Sequence, residues 1–149
     1  MDWRYSQDNM DGKKGKSILI VEDEHQIAHL LEKRLSLLGF NVILAYTGET
    51  ALKLLEKSNP HLILLDVMLP GIDGYTLLKE IRQQELSRRK HDHIPVIMQS
   101  ARGLPTEILC EGEGISSFIR KPYDMEELLG AISGALEDPN DEDDGSNSG

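Results

Sequence analysis

Two apolar runs of this sequence end in carboxylates. ILIV (18–21) is followed by Glu22 and Asp23, and LILL (62–65) is followed by Asp66. Two unit charges about 4 Å apart repel by roughly 4 kcal/mol at an effective dielectric near 20, so carboxylates that gather at one place need a cation. An oxygen-rich site with few protein ligands and room for water suits Mg²⁺ or Mn²⁺.

Two further apolar runs end in a hydroxyl and an amine. PVIMQS (95–100) ends in Ser100, and SFIRK (117–121) ends in Lys121. Lys121 would add a fixed positive charge beside the carboxylates, and Ser100 would add a hydrogen-bond donor. A pocket with these groups is suited to a ligand more negative than the carboxylates themselves, and a phosphoryl group fits best.

The elements that must position these residues alternate along the chain. Short runs rich in β-branched residues and leucine predict five strands: SILIV (17–21), NVILAY (41–46), HLILLD (61–66), PVIMQS (95–100) and SFIRK (117–121). Amphipathic stretches between them predict helices, because apolar residues recur there every three or four positions. Gly39 should close the first helix, Asn59–Pro60 the second, and Asp124 should cap a last helix over 124–136.

This alternation predicts an α/β fold. Parallel strands need a helical crossover, so the expected architecture is a doubly wound five-stranded parallel sheet in a three-layer α/β/α arrangement. The functional crevice of such sheets lies beyond the carboxyl ends of the strands. Glu22, Asp23, Asp66, Ser100 and Lys121 all stand at predicted strand ends, so we expect them to meet.

Length and charge limit the other possibilities. The chain has 149 residues, enough for one domain, and we expect a disordered extension at 1–16, a folded unit at 17–137 and an acidic disordered tail at 138–149. A net charge of -10 argues against direct nucleic-acid binding. No apolar run could cross a bilayer and no signal peptide is evident, so we expect no membrane partner and a cytoplasmic location. A lone cysteine, Cys110, cannot form an internal disulfide.

ILIVEDE, LILLDVMLPGIDG, PVIMQSA and FIRKPY, in this order and at this spacing, resemble the receiver domain of two-component response regulators, including the chemotaxis receivers. The resemblance covers about residues 16–137. It implies the flavodoxin-like strand order 2-1-3-4-5 and a phosphoacceptor signalling module rather than an enzyme, with at most self-catalysed phosphotransfer and autodephosphorylation.

The same resemblance implies roles for individual residues. Asp66 would be the phosphoacceptor, with Ser100 binding a phosphoryl oxygen and Lys121 pairing with the phosphate after a cis Lys121–Pro122 bond. Mg²⁺ would be held by Glu22, Asp23, Asp66 and the backbone carbonyl of Met68. Phe118 would act with Ser100 as a switch. Met68 and Arg102 would set a slow self-dephosphorylation.

The implied partners are proteins. A sensor histidine kinase or a histidine phosphotransfer protein would supply the phosphoryl group, and a downstream target would bind through the fourth helix, fifth strand and fifth helix. Residues 102–114 contain Pro105, Gly112 and Gly114, and GISSF (114–118) departs from the family pattern. These departures place conventional dimerisation through the fourth helix in doubt.

Alternatives stay open at this point. The chain could be a stand-alone regulator or a receiver excised from a larger hybrid kinase or regulator. A small metal-dependent aspartyl phosphatase is less favoured, because Met68 stands where a second aspartate is expected. A flavodoxin-like cofactor carrier and a receiver that works without phosphorylation are also less favoured. His25 and His29 could ligate a metal, but a solvated or partly packed helix face is the simpler interpretation.

Overall fold

The alternating pattern folds as a parallel sheet. The computed structural model describes residues 11–88, 93–101 and 114–137. Its strands are β1 (Ser17–Val21), β2 (Asn41–Ala45), β3 (Leu62–Asp66), β4 (Val96–Ser100) and β5 (Ser117–Arg120). All neighbouring pairs are parallel, and their order is β2-β1-β3-β4-β5. The predicted strand order is confirmed.

Four α-helices lie within the described residues: α1 (His25–Leu37), α2 (Gly48–Lys57), α3 (Gly74–Ser87) and α4 (Met125–Ala135). Successive strand residues face opposite sides of the sheet. One side, with Leu19, Ile63 and Met98, packs against α2 and α3; the other, with Ile18, Leu64 and Ile97, packs against α1 and α4. Every residue of β3 and β4 is buried, so the predicted three-layer α/β/α architecture is confirmed.

Local signals set where the helices begin and end. The predicted cap Asp124 accepts the Glu127 N–H at 2.8 Å, and Asp73 accepts the Thr76 N–H at 2.8 Å before α3. Gly39, beyond the end of α1, has φ +99°, a backbone conformation that side chains disfavour. The first helix therefore ends, and the last helix begins, where the sequence predicts.

The entrance to β1 carries a short turn. Residues Asp11–Lys13 form a 3-10 turn. The Gly15 N–H then donates to the Gly39 carbonyl at 2.8 Å, and the Asn41 side chain donates to the Gly15 carbonyl at 2.9 Å. Gly15, which the sequence assigns to the extension, thus hydrogen-bonds to the folded unit.

Several predictions fall on residues outside the described ranges. These are the irregular fourth helix within 102–114, residues 138–149 of the tail, Cys110 and Arg102. Within the described ranges, none of the helices is long and apolar enough to cross a membrane.

A buried ion pair lies near the edge of the sheet at which β4 and β5 begin. Arg82 and Glu85 on α3 are 7% and 4% exposed and are joined by an Nη1–Oε1 hydrogen bond. Arg82 also donates to the carbonyls of Ile94 at 2.9 Å and Gly114 at 3.2 Å. The guanidinium thereby joins the chain entering β4 to the chain entering β5.

Candidate functional site

Backbone hydrogen bonds continue past the carboxyl ends of the strands. The Glu22 N–H donates to the Ala45 carbonyl at 3.0 Å, and the Val67 N–H donates to the Gln99 carbonyl at 2.9 Å. The Lys121 N–H donates to the Ser100 carbonyl at 2.8 Å. The residues at the strand ends are therefore fixed by the sheet itself.

Lys121 joins the two buried carboxylates of the site. Its Nζ lies 2.8 Å from Glu22 Oε1 and 2.8 Å from Asp66 Oδ2. Glu22 is fully buried and Asp66 is 3% exposed. The peptide bond between Lys121 and Pro122 is cis, as the resemblance implied. One ammonium thus offsets part of the charge of two carboxylates taken out of water.

Asp66 is held from its other side by the loop that follows it. The Met68 N–H donates to Asp66 Oδ1 at 2.9 Å, so each carboxylate oxygen has a partner. The start of α3 lies directly against this loop, where the Gly74 N–H donates to the Val67 carbonyl at 2.8 Å. A Cβ at Gly74 would lie 2.7 Å from Val67 Cα and closer still to the Asp66 carbonyl oxygen. Glycine is required there by the close approach of helix and loop.

The carboxylates suit a divalent cation. Glu22, Asp23 and Asp66 each offer an oxygen, and these oxygens lie within 4.8 Å of one another. Glu22 Oε2 is buried, and no hydrogen-bond partner for it is found in the part of the chain that the structure describes. Oxygen ligands at this spacing fit Mg²⁺ or Mn²⁺, and the orphaned oxygen gives such an ion a ready ligand.

Burial and mutual contact shift the pKa values of Glu22 and Lys121. Burial, reinforced by the neighbouring Asp66 and opposed by Lys121, raises the pKa of Glu22 from 4.5 to about 8. Burial would lower the pKa of Lys121, but its hydrogen bonds to Asp66 and Glu22 outweigh that effect and raise the pKa. Lys121 is therefore charged at neutral pH, whereas Glu22 readily holds a proton.

The other two predicted residues lie on the adjoining strands. Ser100 is fully buried at the end of β4. Phe118, opposite Met98 in the β4–β5 register, is half-buried and packs on the α2–α3 side of the sheet. Their roles as a switch stay predictions.

A polar pair that the sequence analysis did not single out lies beside the site. Gln99 is fully buried and accepts the Tyr123 O–H at Oε1. Burial, with smaller effects of the neighbouring charges, raises the pKa of Tyr123 to about 12. A glutamine inside an apolar strand was the available signal, because such a residue needs a buried partner.

The histidines of α1 contact an aromatic side chain. His25 stacks on Tyr46 with ring centroids 3.8 Å apart, and His29 Nε2 lies 3.2 Å from Tyr46 Oη. Across the described ranges, the only group of three or more His, Cys, Asp or Glu residues placed to hold a metal is the carboxylate cluster. The predicted helix-face interpretation of these histidines fits this arrangement.

A groove of about 730 Å³ opens next to Lys121. It lies between α1 and the segment that leads from β5 into α4. Ile27, Leu30 and Leu31 form much of one wall, and Pro122, Tyr123 and Met125 form much of the other. Leu30 is 51% exposed. An apolar surface therefore adjoins the carboxylate site.

Comparisons with known proteins agree with this geometry. The profile of the response regulator receiver domain matches residues 18–133. A relative from Galdieria sulphuraria, named a probable transcriptional regulator (ycf27), is 40% identical over 121 residues, which are 80% of this chain and 45% of that protein. A transcriptional regulatory protein of Bacillus subtilis, YkoG, is 36% identical over 80% of this chain and 50% of its own length. The chain spans about half the length of the curated relatives it matches.

Solved structures share the fold. The receiver domain of the sensor histidine kinase PA1611 from Pseudomonas aeruginosa, with a magnesium ion coordinated in its active-site cleft, has a TM-score of 0.71 and 32% identity, covering 82% of this chain and 98% of that one. The response regulator TrrA of Thermotoga maritima, in complex with Mg²⁺ and BeF, has a TM-score of 0.69 and 28% identity, covering 81% and 99%. With its parallel sheet, its carboxylate cluster and the match over residues 18–133, the chain belongs to the response regulator receiver domain family.

Proposed function

We propose that Asp66 accepts a phosphoryl group from a phosphohistidine of a partner protein. One observation carries the proposal: the Asp66 carboxylate is held between Lys121 Nζ and the Met68 N–H, within 4.8 Å of ligand oxygens from Glu22 and Asp23. A structural carboxylate could be satisfied by Lys121 alone. Here Lys121 contacts two carboxylates and Asp23 adds a third to the cluster, an arrangement that suits a cation and an anionic ligand.

The chemistry follows from these groups. An Asp66 carboxylate oxygen attacks phosphorus, a P–O bond forms, the P–N bond to histidine breaks, and the imidazole leaves. Lys121 offsets negative charge that gathers on the phosphoryl oxygens, and Ser100 supplies a hydroxyl donor after transfer. Mg²⁺, when bound, would supply further charge neutralisation. Glu22, Asp23, Asp66 and the Met68 carbonyl are the groups that would hold it.

The phosphorylated state differs from the free state mainly in charge. An acyl phosphate adds about -1.5 to -2 charge at pH 7. Lys121, which bridges Glu22 and Asp66 in the structure, would turn to the phosphoryl oxygens, and Ser100 would be drawn toward them. We infer that this tilts an existing equilibrium at β5 and the neighbouring surfaces, with Phe118 following Ser100.

The groove beside Lys121 suits the phosphodonor protein. Its walls bring apolar α1 residues and Pro122 to the mouth of the site, so a protein surface seated there would hold a histidine near Asp66. The donor is a sensor histidine kinase or a histidine phosphotransfer protein. The relatives are named transcriptional regulators, and the matched region covers about half of their length, so the regulated output can be DNA binding by another domain of a longer protein.

The test is chemical labelling. The protein is incubated with Mg²⁺ and acetyl phosphate, and its intact mass is measured. We expect one acid-stable, base-labile phosphoryl adduct that EDTA prevents. Asp66→Asn should abolish the adduct, whereas Asp73→Asn should keep it, because Asp73 is an exposed helix cap in the same loop whose role asparagine can fill.

Three results would contradict the proposal. An adduct that persists in Asp66→Asn would assign the phosphoacceptor elsewhere. Labelling that is undiminished in EDTA would remove the metal from the mechanism. Rapid turnover of phosphate esters by the wild-type protein would favour the aspartyl phosphatase alternative.

A further inference from the structure

Met68 is the exposed side chain of the phosphoacceptor loop. It is 50% exposed, whereas Val67 and Leu69 on either side of it are buried. Its backbone is fixed, because its N–H donates to Asp66 Oδ1 at 2.9 Å. A thioether thus stands in solvent on a residue whose main chain is tied to the carboxylate of the site.

Most of the other groups at the site are far less accessible, and Asp23 is half-buried. Glu22 and Ser100 are fully buried, Asp66 is 3% exposed, and the Lys121 side chain is 19% exposed. A reagent in solvent therefore reaches the Met68 side chain more readily than it reaches Glu22, Ser100 or Asp66. Such a sulfur is open to oxidation, because exposed methionines are oxidised more readily than buried ones.

The described methionines differ sharply in access. Met98 in β4 is fully buried, and Met125 at the start of α4 is half-buried. Oxidation at low reagent concentration should therefore be selective for Met68 over both. This contrast provides an internal control within one chain.

We propose that Met68 is a modification site at which peroxides shorten the life of the phosphoryl group on Asp66. The sulfur lone pair attacks one oxygen of hydrogen peroxide, the S–O bond forms and the O–O bond breaks. The other oxygen leaves as water. The product is methionine sulfoxide, whose oxygen is a strong hydrogen-bond acceptor. The second half of this inference rests on the proposed function of Asp66.

The effect on the phosphoryl group follows from the change in polarity. A thioether offers only a weak acceptor to the water that must attack phosphorus. A sulfoxide oxygen at the mouth of the site can hold such a water and accept its hydrogen bond as it loses a proton. A well-positioned proton acceptor contributes about 10²–10⁴ in rate, and a freely rotating side chain should recover a small part of that, about threefold.

The experiment has two independent readouts. First, the full chain is treated with dilute hydrogen peroxide, and the oxidation of each methionine is followed by peptide mass spectrometry. We expect Met68 to gain one oxygen well before Met125 and Met98. Equal or slower oxidation of Met68 would overturn the assignment of the modification site, whatever the outcome for phosphorylation.

Second, treated and untreated protein are phosphorylated with acetyl phosphate and Mg²⁺, the donor is removed, and the loss of the adduct is timed. The half-life should fall about threefold on treatment, return after methionine sulfoxide reductase, and be insensitive to treatment in Met68→Leu. Met125→Leu should retain the fall. The proposal would be overturned by an unchanged or longer half-life, or by a fall in half-life that persists in Met68→Leu. Untreated protein that takes no phosphoryl label would instead contradict the proposed function of Asp66.

Discussion

Gly74→Ala should strongly destabilise the protein and disturb the phosphoacceptor loop. The added Cβ would lie 2.7 Å from Val67 Cα, where ordinary contacts are 3.4–4 Å. Both close neighbours, Val67 Cα and the Asp66 carbonyl oxygen, are backbone atoms, so no side-chain rotation relieves the overlap. Overpacking of this kind costs about 1–3 kcal/mol and occasionally more, and we expect about 3 kcal/mol because the hydrogen bond from Val67 N–H to Gln99 O holds the loop in place.

Urea unfolding measures this cost. With a slope of about 2 kcal/mol per molar, a loss of about 3 kcal/mol lowers the midpoint by about 1.5 M. Gly130→Ala is the matched control: Gly130 lies inside α4 with nothing within 4 Å of an added Cβ. That variant should be as stable as the wild type or up to about 1 kcal/mol more stable.

The reasoning fails if Gly74→Ala and Gly130→Ala have the same midpoint. A second measurement separates the loop from global stability. At a temperature where both variants are fully folded by circular dichroism, labelling by acetyl phosphate should be slower in Gly74→Ala, because α3 can move away from the loop only by shifting Asp66.

Three further predictions concern charge. In EDTA, the free energy of unfolding should fall by on the order of 3 kcal/mol from pH 5 to pH 8. The reason is that the raised pKa lets Glu22 keep a proton in the folded state that it loses in the unfolded state. Glu22→Gln should flatten this pH dependence. Mg²⁺ at about 100 times its Kd should add about 2.7 kcal/mol in thermal or urea unfolding, and Asp23→Asn should reduce that gain at fixed Mg²⁺. Arg82→Met should cost about 3–5 kcal/mol by leaving Glu85 buried without its guanidinium, and a loss below 1 kcal/mol would contradict the role given to this pair.

The sheet could be predicted from the sequence because its signals are local. Each predicted strand differs from the observed one by no more than a residue at either end, since apolar runs and the turns between them mark the limits. Strand order followed from the resemblance. The site followed from both, because residues that end parallel strands lie at one edge, and the structure brings Glu22, Asp66 and Lys121 into contact there.

Other features depend on distances that no local pattern encodes. The requirement for glycine at position 74 arises because α3 packs on the Asp66–Val67 peptide. Arg82 and Glu85 look like surface charges on a helix, although each lies four positions after a buried residue, Leu78 or Ile81, and so shares the inner face of α3. Their spacing could have indicated burial, but the carbonyls of Ile94 and Gly114 that accept from Arg82 could not have been identified before the strands were placed.

The backbone hydrogen bonds of Glu22, Val67 and Lys121 to neighbouring strands fix the first residue after each of three strands to the sheet. Their amide protons should exchange with solvent on the timescale of the strand interior rather than that of surface loops. A metal ion or phosphoryl group bound there would therefore meet backbone that is already in place. A substitution in the core that displaces β3 relative to β4 would change the phosphoryl chemistry without touching any residue of the site.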